Sequence, residues 1–221
     1  MNTIWDVPSL LVILAISLWA YFGLVKPSVD AARERRALRE RVAERGWSYA
    51  KKDKELRARL SSPPFGGRSG WTYDVVSWVH RGRDVRLFGF DEGSGEGSWA
   101  YAVAMIGPIA HDLPTIRIHF EVFNPFKPKR PPAEGLHAVP SADPNFVIVS
   151  SDPLVAERLQ RPLIDLLRAS STLTFLTESG AILLVGESAR LRGWVQEPEE
   201  IVALLDALAG VVGREVGDQP R

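Results

Sequence analysis

"WTYDVVSWVHRGRDVRLFGFD", Trp71 to Asp91, decides the architecture. Two runs rich in Val, Trp, Tyr and Phe, residues 71–80 and 85–91, flank the four residues RGRD. β-Branched and aromatic residues on both sides of a short turn containing Gly82 predict an antiparallel hairpin. Regular alternation along the first strand puts Trp71 and Trp78 on opposite faces, so at least one ring should lie outside the main core.

Working outward, SWAYAVAMI (98–106) sets Trp99, Tyr101, Val103 and Met105 on one face and Ala100, Ala102 and Ala104 on the other. The alanine face leaves room for a second layer, most simply a helix. In TIRIHFEV (115–122), Ile116, Ile118, Phe120 and Val122 alternate with Arg117, His119 and Glu121, which predicts one core face and one wet face. Four successive strands with short links predict a meander. NPFKPKRPPAEG (124–135) reads as a loop, in which Lys127, Lys129 and Arg130 are either a dock for an acidic group or plain solubilising charge. NFVIVS (145–150) is a buried type of strand, and Asp152 with Pro153 starts a helix that Pro162 should kink or split. A second hairpin turns at Gly180, and an amphipathic helix from Pro198, with Glu199 and Glu200 near its N-terminal dipole, closes the body. The class is α+β: an antiparallel meander, a second hairpin, and helices mostly on one sheet face.

At the other end, VPSLLVILAISLWAYFGLV (7–25) has no charge between Asp6 and Lys26. Its 19 residues make roughly 28 Å of helix, against about 30 Å of bilayer hydrocarbon. MNTIWD contains no Lys or Arg, so a retained transmembrane anchor is expected rather than a cleaved signal peptide. A basic helix follows over 26–46, with Pro27 in its first turn, Arg36 and Glu40 at i,i+4, and Gly46 as its stop. From Lys26 to Arg59 there are 12 basic residues against 6 acidic, and from Leu60 to Arg221 there are 15 against 20. The positive-inside rule then puts the body in the cytoplasm and the N-terminus outside the inner membrane. Lys26, Arg33, Arg35, Arg36 and Arg39 are candidate contacts to lipid headgroups. A self-paired spacer, or a coiled-coil contact in a homo-oligomer, would use the same helix. The expected organisation is a short outer tail (1–6), the span (7–25), the basic helix (26–46), the α+β domain (47–215) and a tail (216–221).

Chemistry is harder to find. Cysteine is absent, which excludes disulfides and thiolate chemistry. RLSSPPFGGRSGW (59–71) has the glycines of a phosphate cradle but follows a helix and precedes a strand, the reverse of what an anion-binding helix N-terminus needs. GSGEGS (93–98) joins two strands and reads as a hairpin loop, and no Gly-x-Ser-x-Gly is present. His80, His111, His119 and His137 are scattered; His119 and Glu121 have metal-like spacing but no third ligand. Asp143, Asp152 and Asp165 invite a carboxylate reading, but turn and cap duty accounts for those beside prolines. No catalytic residue, metal ligand or cofactor is therefore assigned. Trp71, Trp78 and Trp99 are the candidate ligand or partner contacts, with second-layer packing as the alternative.

The combination of a span, a basic neck, ERGW, PPFG, RGRDVRLFGFD, NFVIVSSDPLVAERL and a closing ILLVGE hairpin resembles single-span, membrane-anchored proteins of GC-rich actinobacteria that carry a domain of unknown function. The resemblance implies the domain boundaries and no site residues. The first functional expectation is a membrane-anchored, non-catalytic domain that binds a protein partner at the cytoplasmic face. The alternative is a lipid or small apolar ligand-binding module, and an enzyme is third. The acidic body argues against nucleic acid as a partner.

Overall fold

The structure, a computed structural model, describes residues 26–62, 64–65, 70–93, 99–121, 135–169 and 172–217. The expected span, the Lys127–Arg130 loop and Val122 lie outside the described residues. No described helix is long and apolar enough to cross a membrane. The chain divides into two units, 1–46 and 47–221. In the first, helix α1 (Lys26–Glu44) ends at Gly46, whose φ of +68° and N–H to the Ala43 carbonyl make the expected stop. Arg36 and Glu40 pair along α1 at 2.9 Å.

The second unit is an antiparallel sheet of nine strands: β1 (Ser48–Ala50), β2 (Trp71–His80), β3 (Arg83–Asp91), β4 (Ala100–Gly107), β5 (Ile116–Phe120), β6 (His137–Val139), β7 (Phe146–Ser150), β8 (Thr174–Glu178) and β9 (Ala181–Glu187). Their spatial order is β1-β2-β3-β4-β9-β8-β5-β7-β6. Both expected hairpins form, and more tightly than expected. The β2–β3 turn is Arg81-Gly82 alone, with φ of 51° and 77°, and the β8–β9 turn is Ser179-Gly180, with φ of 51° and 73°. Two successive residues at positive φ match the twist of a two-residue hairpin.

The expected four-strand meander stops after three. β4 pairs along its length with β9, and β5 pairs with β8 and β7. The late hairpin is thus inserted between strands that are neighbours in sequence. Ile109 N–H donates to the Gly180 carbonyl at 2.7 Å, stitching the departing chain to the inserted turn. A Cβ at Gly180 would lie 2.7 Å from the Ala110 carbonyl oxygen, so only glycine fits there.

Helices α3 (Pro153–Arg168), α4 (Arg190–Gln196) and α5 (Pro198–Gly217) cover one sheet face; α5 packs on β4, β9 and α3, and α3 on β6 and β7. As expected, Ala102 and Ala104 are fully buried. Asp152 caps α3, accepting from the N–H groups of Leu154 and Val155. The helix is not split: it runs through Pro162, held by a buried stripe of Val155, Ala156, Leu159, Leu163, Ile164 and Leu167.

The opposite face carries a second core. Short helix α2 (Lys54–Arg59), capped by Asp53, drops Leu56 and Leu60 onto Val75, Phe88, Phe90, Tyr101, Val103 and Leu183. Phe65, fully buried, meets Phe90 edge-on at 4.9 Å. Of the stretch after α2, Ser61, Ser62 and Phe65 therefore form a plug for the sheet. Glu178 fastens it: its Oε1 accepts from Ser62 N–H at 2.7 Å, from the Ser61 hydroxyl at 2.8 Å and from Ser61 N–H.

Candidate functional site

Two places have the geometry of a site, one on each sheet face. On the helix face, α3 and α5 leave an open groove of about 680 Å³, within the ordinary range for ligand pockets. Pro162 and Leu166 form one wall and Ala207, Gly210 and Val211 the other. The α5 residues recur at i, i+3 and i+4, a single helical stripe whose small side chains hold the wall back. A Cβ at Gly210 would meet nothing within 4 Å. Asp165 and Arg214 stand at the rim, so the lining is apolar along the floor and charged at the edge. Asp165 is also 3.4 Å from Arg168, which reaches Asp143 at 3.1 Å. The Asn145 backbone N–H, and then Arg168, hold the Asp143 carboxyl below the ordinary carboxylate range.

On the opposite face, the expected wet side of β5 is buried. Register puts Arg117 beside Leu176 and Val149, and His119 beside Val147. Leu176 belongs to the second core, so Arg117 and His119 share that face, away from α3 and α5. They are 9% and 4% exposed, on a strand flanked by β8 on one side and β7 on the other. Burial, and then the nearby Arg117 charge, lower the His119 pKa to about 4. Neither ring nitrogen of His119 has a hydrogen-bond partner, and neither does Glu178 Oε2. Glu121 is exposed, and no three His, Asp or Glu among the described residues are placed to hold a metal.

The tryptophans separate. A β-bulge between Tyr73 and Val76, with Asp74 at φ 50°, inserts a residue into β2. Trp71 pairs with Asp91 and Trp78 with Val85, so both face the same way, contrary to simple alternation. The Tyr49 hydroxyl holds Asp74 Oδ1 at 2.5 Å. Trp78 stacks on Trp47 at 4.1 Å and 9°, a packing role. Trp71, 37% exposed beneath the Lys52 ammonium, and Trp99, 58% exposed, stay accessible at one sheet end. None of the three lines the groove. On α1, Arg33, Arg35, Arg36 and Arg39 are exposed. Sequence reasoning missed the groove, although Ala207 and Gly210 on the outer side of an apolar helix were a usable signal.

No family model matches the sequence, and no curated protein matches it. The fold is shared with a solved protein: the chain is similar to the crystal structure of the mycobacterial trehalose monomycolate transport factor A, TtfA, with a TM-score of 0.64 at 14% identity, covering 85% of this chain and 98% of that one.

Proposed function

We propose that the α+β unit is a lipid-binding module that takes an apolar chain into the α3–α5 groove. The observation that carries this reading is the groove itself: an apolar floor of Pro162, Leu166, Ala207 and Val211, open along its length, with Asp165 and Arg214 at the rim for a polar headgroup. The fold neighbour is named for transport of a mycolate lipid, which favours the same class of ligand. A cavity lined by the alanine face of β4 and by α3 would have favoured a ligand, and a filled core with an exposed aromatic patch a protein partner. Ala102 and Ala104 are fully buried, the groove has no β4 residue in its lining, and exposed Trp71 and Trp99 keep the protein partner as a second reading. On the lipid reading, residues 7–25 anchor the module in the inner membrane, Lys26, Arg33, Arg35, Arg36 and Arg39 lie against headgroups, and the body works on the cytoplasmic side.

Displacement of a fluorescent fatty acid tests this. Gly210→Trp fills open space on an exposed helix position, so the fold should hold within about 0.5 kcal/mol while affinity falls at least tenfold. Unchanged affinity in this variant would move the ligand elsewhere, and no binding by the unmodified chain would remove the reading.

A further inference from the structure

We propose that Arg117 and His119 form a second binding site, separate from the groove, for an anionic group of the phosphate or carboxylate type. A guanidinium stays charged under all ordinary conditions, and a buried charge is stable only when paired. Arg117 is more than nine-tenths buried, and no carboxylate among the described residues forms an ion pair with it. His119, two positions along the same strand and about 7 Å away by strand geometry, is still more buried, with both ring nitrogens unpartnered. Neutral imidazole offers one N–H, so among the described residues the pair presents a cation with no carboxylate paired to it and a neutral donor with no acceptor.

The surroundings favour an anion between these two side chains. Val149 and Leu176 flank Arg117 in register, giving apolar walls that strengthen any charge-assisted hydrogen bond made there. Glu178 shares the face but lies on the side of Arg117 away from His119, with Oε1 committed to Ser61 and Ser62. Its charge repels an anion from that end and leaves the His119 side favoured. An anion there would also offset the Arg117 charge that helps to depress the His119 pKa.

The test uses the full chain in dodecyl maltoside micelles, titrated with dodecyl phosphate and, separately, with inorganic phosphate. The readouts are the thermal midpoint and the NMR resonance of the His119 ring. Binding to the folded state raises the midpoint, and an anion at Arg117 moves the His119 signal. Arg117→Met should keep or raise the midpoint without ligand, because it removes an unpaired buried charge, and should weaken both responses at least tenfold. Gly210→Trp, which blocks the groove, should leave the midpoint response to inorganic phosphate and the His119 shift intact, which separates this site from the groove. A response to dodecyl phosphate at least tenfold stronger than to phosphate supports the site and assigns it to lipid headgroups; equal responses support it as a small-anion site. If neither anion moves the His119 resonance in the unmodified chain, the proposal fails. It also fails if R117M lowers the midpoint yet keeps the anion response, since Arg117 would then be structural.

Discussion

The two faces of the sheet are built from alternate residues of the same strands and solve burial differently. The helix face is mostly apolar, from Leu87 through Ala104 and Leu184 to Ile118, with Ser150 and Thr177 as buried polar members, and a recess lies outside it, between α3 and α5. The opposite face is apolar under the Phe65 plug and then turns polar at Glu178, Arg117 and His119. A face closed by long helices can be filled largely with hydrocarbon. A face closed by a six-residue helix and a loop needs polar fastenings, and it holds polar groups that serve no contact within the described residues.

The sharpest way to break that contrast is Phe65→Ala. If the loop plugs a core, the loss should be about 3–5 kcal/mol in urea unfolding; a loss below about 0.5 kcal/mol would make the loop surface decoration. Next comes pH. The His119 pKa falls from 6.5 unfolded to about 4 folded, so between those values the unfolded chain holds a proton that the folded chain does not. Stability from this group is complete above pH 6.5 and drains away as pH falls toward 4, by about 2–3 kcal/mol. His119→Gln should flatten that part of the profile; an unaltered slope would mean that the imidazole is not buried as described. Smallest is Glu178→Ala, which strands the Ser61 and Ser62 donors and should cost about 1–3 kcal/mol. Phe65 and Glu178 hold the same plug, so the double variant should fall short of the sum.

Local features of this contrast were legible in the sequence. Both hairpins, the Asp152–Pro153 start of α3, the Gly46 stop and the alanine face of β4 follow from turn chemistry, capping and alternation, all set by neighbours in the chain. The insertion of β8–β9 between β4 and β5 was not, because both pairings join segments some 60 to 80 positions apart and period-2 patterning says nothing about partners. The bulge at Asp74 was hidden for a related reason: one extra residue flips everything after it, yet the sequence still reads as alternation. Arg117 and His119 looked solvated because polar residues on a strand usually are; only their burial in the folded chain shows otherwise. The groove lies along the outer side of two helices that pack on each other, a property of neither helix alone.

The central claim, that an apolar chain lies between α3 and α5, is tested most directly by NMR of the full chain with a fatty acid carrying a nitroxide near its methyl end. The account predicts that signals of Leu166, Gly210 and Val211 broaden first, while those of Leu176 and Phe88 on the opposite face persist. Broadening centred on Trp71 and Trp99, or spread evenly over the surface, would contradict it.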